Sequence, residues 1–187
     1  FDMICPRPEM VLAVNVTLRT ASAAARDFCA GELRRKSDDA AYASIIGDVM
    51  AGYDQRVNTL REELDIILKY IDPLATMMEH RFGPSGDSGY WLYELAKSRE
   101  ILGKELLKAM DIEFIPRMNE LCNYLTDCAY PDNIVQAHNE VRAKLRDLHS
   151  MVTEFVELQE NYRKDTKNEA YAQQRANELI NSKKWKI

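Results

Sequence analysis

Apolar residues recur along this chain in steps of three and four, the period of an α-helix with one buried face. From Pro8 to Ala30 the stripe is Val11, Val14, Leu18, Ala21, Ala25 and Phe28, and Gly31 stands where such a helix stops. The opposite face carries Asn15, Arg19, Ser22 and Arg26. Val14–Leu18 also alternates like a strand, but no hairpin partner follows it, so helix is expected. Ser37 reads as the cap of the next helix, with Asp38 and Asp39 at its positive end. That helix is long: Tyr42, Ile46, Val49, Tyr53, Val57, Leu60, Leu64, Ile67 and Ile71 keep the spacing up to Pro73. Gly47 and Gly52 mark a bend or a close helix crossing within it.

A short helix is expected from Asp72-Pro73, with Leu74, Met77, Met78 and Phe82. The run Gly83-Pro84-Ser85-Gly86-Asp87-Ser88-Gly89 is the clearest loop. A further helix starts near Tyr90 and carries Trp91, Leu92, Leu95, Leu102, Leu106, Ala109 and Met110, until Pro116 kinks or breaks it. Met118, Leu121, Leu125 and Cys128 continue the stripe to Tyr130-Pro131. Asp132 or Asn133 then caps the last long helix, striped by Ile134, His138, Val141, Leu145, Leu148, Val152 and Phe155. Past Tyr162 the pattern weakens. The expected fold is all-α: one domain over 1–187, an elongated antiparallel bundle of two long helices (near 38–72 and 132–162) stapled by disulfides. Residues 1–7 form an extended arm, and 163–187 a basic, weakly helical tail.

Composition supports long elements. Only 7 Gly and 6 Pro occur in 187 residues, too few for a fold built on tight turns. The net charge of −5 argues against non-specific nucleic-acid binding. That charge is uneven: residues 163–187 carry a net +4, which leaves −9 on residues 1–162. No stretch reaches the ~20 apolar residues of a membrane span.

Four cysteines (Cys5, Cys29, Cys122 and Cys128), the glycosylation sequon Asn15-Val16-Thr17 and a chain that starts at Phe1 rather than Met point to a secreted glycoprotein with its signal peptide removed. The alternative is a cytosolic protein with four buried free thiols. Four cysteines allow three pairings. A straight first helix separates Cys5 from Cys29 by roughly 30 Å, and Cys122 lies about 9 Å from Cys128 along one helix. Both exceed disulfide reach, so cross-links between the first helix and the 118–130 region are preferred. The local pairing stays open if both helices break.

Catalytic and metal signatures are missing. His80, His138 and His149 sit in no HExxH pattern, and no CxxC occurs. His138 lies on an apolar stripe, where a core histidine with a satisfied hydrogen bond is expected. Gly86-Asp87-Ser88-Gly89 spells the tetrapeptide around a serine-protease nucleophile, but that chemistry needs two β-barrels with a separate His and Asp. Here Asp87 or Ser88 more simply caps the next helix. Carboxylates such as Glu62-Glu63 and Glu154, Glu157 and Glu160 read as solvated faces. No enzyme activity and no cofactor is called for.

Two features suit binding. Lys183-Lys184-Trp185-Lys186 is a basic patch with an aromatic, fit for an acidic surface. Met77, Met78, Met110, Met118 and Met151 suit an adaptable apolar pocket, or simply fill an irregular core. Taken together, the Phe1 start, the four cysteines, the Asn15 sequon and the helical stripes resemble a class: small secreted helical proteins at a host–parasite or host–vector boundary, such as salivary proteins of blood-feeding insects. The resemblance implies a non-enzymatic effector that binds a host protein or cell surface. An extracellular carrier of a small hydrophobic ligand is the alternative, and an oligomerising structural protein a third.

Overall fold

The computed structural model describes residues 8–35, 38–79 and 88–181, and within these the side chains of 10–35, 38–71, 73 and 95–164. Every described element is helical: α1 (Pro8–Arg35), α2 (Ala40–Glu79), α3 (Ser88–Ala109), a π-helical turn (Met110–Phe114), α4 (Ile115–Asp127) and α5 (Asp132–Asn181). The all-α expectation holds, and the two long stripes become the two longest helices, α2 and α5.

The apolar stripes meet in one core. Leu18 of α1, Leu60, Leu64, Ile67 and Ile71 of α2, and Leu106 of α3 are fully buried, as are Met110, Met118 and Phe155. Each such side chain contributes roughly 1.5–3 kcal/mol by leaving water. Polar contacts give the register. Arg26 and Asp54 pair at 3.0 Å and Glu32 and Tyr42 at 2.8 Å, so numbers rise on α1 as they fall on α2. Thr17 meets Lys144 of α5, and Cys29 meets Tyr130 in the turn before α5, in the same sense. Between α3 and α5, Glu100 meets Arg163, and Asp111, in the π turn that follows α3, meets His149.

Several boundaries differ from the sequence reading. α1 does not stop at Gly31: no described glycine takes the left-handed conformation that ends a helix, and Arg34 and Arg35 complete a last turn favoured by the helix dipole. Asp39 caps α2, accepting from the Tyr42 backbone N–H at 3.2 Å, while Ser37 lies outside the described residues. Pro73 neither ends α2 nor starts a new helix. It is exposed, and α2 continues through it to Glu79. Ser22 is only 1% exposed rather than on a solvated face, because α1 packs against both α2 and α5 and buries more than one stripe. The stretch from Arg163 continues α5 to Asn181.

Two glycines set helix distances. A Cβ on Gly103 would stand 2.5 Å from Cγ2 of Val156, and one on Gly52 would stand 2.7 Å from the Tyr124 hydroxyl. These positions let α3 approach α5 and α2 approach α4. Gly47, by contrast, faces open space.

The break at Pro116 takes a particular form. The Ile115 N–H bonds back to the Met110 carbonyl, an i→i−5 link, and Pro116 enters the first turn of α4, where its missing N–H costs least. α4 then ends in a Schellman turn: Tyr130 N–H bonds to Leu125 O at 3.0 Å, and Ala129 N–H to Thr126 O at 3.1 Å. Ala129 carries the left-handed φ of 55° that such a turn demands.

Candidate functional site

The densest collection of reactive side-chain types lies where α1 and α2 meet the α4–α5 turn. His138 is fully buried. Its Nδ1 lies 2.8 Å from the Ile134 carbonyl, which only accepts, so Nδ1 carries the proton. Nε2 is therefore bare and accepts from the Tyr53 hydroxyl at 2.9 Å. Burial lowers the His138 pKa below the ordinary histidine value, only partly opposed by the Ile134 bond, and keeps the ring neutral. The core histidine expected from the stripe is thus observed with both nitrogens engaged.

Around this pair the aromatic rings interlock. Tyr53 stands edge-on to His138 at 5.8 Å between centroids and 6.0 Å from Tyr130, which in turn packs on Phe28. Ser22 lies beside the Tyr53 hydroxyl. Burial pushes the Tyr53 phenol up to about 12, and raises Tyr130 further with help from its bond to Cys29. The Cys29 sulfur shares a 3.2 Å hydrogen bond with the Tyr130 hydroxyl. Tyr124 donates to the Val49 carbonyl at 2.6 Å and lies under the Arg56 guanidinium, 4.1 Å from the ring centroid. Burial, with the Cys128 thiol beside it, raises Tyr124 to about 12. These phenols stay protonated at neutral pH, and the imidazole stays neutral. The arrangement holds protons in place.

A second group lies between α3 and α5. Glu100, 6% exposed, accepts from Lys104 at 2.9 Å and from Arg163 at 2.6 Å. Burial alone would raise its pKa, but the two cations outweigh it and hold the carboxyl below its ordinary value. Arg99 and Gln159 are buried nearby, 2% and 0% exposed. A third group joins α2 to the π turn. Burial and the facing Glu113 carboxyl raise the Glu63 pKa, partly opposed by Arg117. Glu63 is thus not the solvated carboxylate expected from Glu62-Glu63. One turn along lies a half-open cleft of ≈ 170 Å³ lined by Gln55, Arg56, Thr59, Arg117 and Glu120. Its lining is polar, and its volume falls short of the roughly 300–1,000 Å³ of small-molecule pockets.

The residues singled out from sequence do not converge. Cys29 and Cys122 are buried and Cys128 half-buried, all three as free thiols, so the expected disulfides are not formed among the described cysteines. Cys5 lies outside the described residues. Asn15 is half-buried on α1 between exposed Leu12 and Val16, and its sequon partner Thr17 accepts from Lys144 at 2.9 Å. Met110 and Met118 pack in the core and Met151 is half-buried, while the side chains of Met77 and Met78 lie outside the described set. Lys183, Lys184, Trp185 and Lys186 also lie outside it, as do His80, Gly86 and Asp87. Helix α3 begins at Ser88. His149 binds Asp111 at 2.8 Å on the surface.

Sequence reasoning missed the Tyr53, Tyr124 and Tyr130 hydroxyls, which sit on or beside apolar stripes and read there as plain hydrophobes. Among the described residues no group of three His, Cys, Asp or Glu side chains is placed to hold a metal ion, and no helix is long and apolar enough to cross a membrane. No family model, no curated protein and no solved structure matches the chain.

Proposed function

We propose that this protein is a secreted, non-enzymatic effector that binds a partner protein or cell surface through the outer faces of an elongated, antiparallel, disulfide-held bundle. The observation that carries this reading is where the exposed aliphatic side chains stand. Ile101 and Ile112 are 52% and 62% exposed along one side of α3 and the π turn, and Leu158 is 38% exposed on the neighbouring α5. They sit among charged groups, which is the apolar-centre, polar-rim composition of protein interfaces. The sequon and the even cysteine count support the extracellular setting. The carrier reading rests on the methionines, and two of the five are packed inside the closed core.

The test uses the full chain secreted from eukaryotic cells. A defined extracellular protein that binds the purified chain saturably, and binds at least tenfold more weakly to an Ile101→Asp/Ile112→Asp variant of unchanged helicity, is the expected result. Saturable binding to no macromolecule, with a mass of a few hundred daltons retained in native mass spectrometry and lost on denaturation, makes the carrier reading primary.

A further inference from the structure

We propose that Cys29 and Cys128 are the cysteine pair this fold joins, as a disulfide between α1 and the end of α4. The inference deepens the extracellular reading above, since an oxidising compartment is what lets the bond persist.

Three observations select this pair. First, α1 runs unbroken from Pro8, which places Cys29 more than five turns, about 30 Å, from Pro8, and the three residues back to Cys5 span at most ~11 Å. That removes Cys5 as a partner for Cys29. Second, Cys122 lies six residues before Cys128 on α4, about 9 Å away along the axis and beyond the ~4.4–6.8 Å between Cα atoms that a disulfide spans. The Cys122 thiol is 4% exposed and lies near Arg142 and Arg146 of α5. Cys29 sits at a different level, against Tyr130 beyond the end of α4. Third, Cys29 and Cys128 flank the same two hydroxyls. Cys29 bonds to Tyr130 at 3.2 Å, and Cys128 lies within hydrogen-bond reach of Tyr124. Cys29 and Tyr130 belong to the core, and Tyr124 and Cys128 pack against that same core. The Schellman turn holds Cys128 and Tyr130 two residues apart at that level.

Exposure sets the order of events. Cys128 is half-buried whereas Cys29 is 2% exposed, so an oxidant reaches Cys128 first. With a small disulfide such as oxidised glutathione, the Cys128 thiolate attacks one sulfur and expels one glutathione thiolate. The Cys29 thiolate, leaving the Tyr130 hydroxyl, then attacks the Cys128 sulfur and expels the second. The protein loses two electrons and two protons, and one glutathione disulfide becomes two thiols.

The experiment equilibrates the reduced full chain with oxidised glutathione, blocks remaining thiols, and maps chymotryptic peptides without reduction. Cleavage after Tyr124 or Leu125 separates Cys122 from Cys128. The expected product is one linkage, Cys29 to Cys128, two hydrogens lighter than the separate peptides. Cys122→Ser retains it and Cys128→Ser abolishes it. Closing so long a loop raises the melting midpoint by roughly 10 °C. A linkage of Cys29 to Cys122 or Cys5, or recovery of Cys29 and Cys128 as blocked or glutathione-capped thiols, overturns the assignment. The same map on protein from the secretory pathway tests the compartment separately. Free thiols there, beside a Cys29–Cys128 bond formed in vitro, count against the extracellular reading and leave the pairing intact.

Discussion

Two buried polar regions hold this bundle in different ways. Where α1 and α2 meet the α4–α5 turn, the interior bonds join neutral groups: the His138 imidazole, the Tyr53, Tyr124 and Tyr130 phenols and the Cys29 thiol bond to one another or to backbone carbonyls. Between α3 and α5, Glu100 instead sits with Lys104 and Arg163. The comparison teaches that desolvation is met in two ways. A neutral cluster costs little to bury, but each hydroxyl must find its partner. A charged cluster costs more to bury and depends on every charge being matched.

The largest effect is expected at the charged cluster. Glu100→Ala removes the buried carboxylate that Lys104 and Arg163 share and destabilises the fold by about 3 kcal/mol in denaturant titration. Lys104→Ala removes only an exposed partner and barely moves the melting midpoint. An equal loss for the two variants would show that burial does not set the value of this cluster. At the neutral end, Tyr53→Phe takes the donor from His138 Nε2 and costs about 2 kcal/mol, because a buried acceptor is left without a partner.

Acid separates the two regions further. His138 has a depressed folded-state pKa, so the unfolded chain binds the extra proton. Its contribution is complete above the unfolded value near 6.5 and is lost as pH falls through the folded value. The Glu100 contribution is complete above 4.5 and is lost as pH falls through its own depressed folded value. Melting midpoints measured from pH 8 to 4 are expected to fall first through His138, and a His138→Gln variant loses that first step. An unchanged first step would assign it elsewhere.

Packing gives a smaller contrast. Gly103→Ala forces the stiff Val156 side chain aside and costs about 1–2 kcal/mol, while Gly47→Ala, with open space around it, gains about 0.5–1 kcal/mol from helix propensity. A shift of similar size is expected at the turn itself. Ala129→Gly relieves a left-handed alanine and raises stability by about 1 kcal/mol in the same titration.

Much of the architecture was readable because helix period and burial are the same signal. The stripe Val57, Leu60, Leu64, Ile67 and Ile71 is predicted from spacing and observed as core. What spacing does not contain is the second buried side of a helix. Ser22 looked solvated because a single-face reading assumes one neighbour, and α1 has two. The punctuation residues misled for a related reason. Gly31 and Pro73 permit a stop, but nothing in the surrounding chain makes them one. As for the cluster, His138 was recognised as core from its stripe. Its partners were not, because Tyr53 and Tyr130 come from positions 85 and 8 residues away and their hydroxyls leave no periodic trace. The cysteine constraint was half visible. Distances along helices exclude pairings, but only the turn at Ala129 brings Cys128 and Tyr130 to the level of Cys29.

The π turn at Met110–Phe114 works as a counted spacer. It inserts one residue without adding a turn, so α4 follows α3 with its apolar stripe kept on the same neighbours, α2 and α5. Met110 and Phe114 are both inward, while Asp111 and Ile112 point out. The segment therefore tolerates changes of letter at its exposed positions and the loss of its one extra residue, but not a further insertion. Removing its extra residue would restore regular helix and leave α4 in phase, whereas adding one more that no wider turn takes up would turn every side chain of α4 by about 100°. Tyr124, Met118 and Leu125 would leave their places together, and the far end of the bundle with them. In such a chain the indel record of this stretch is as informative as its substitutions.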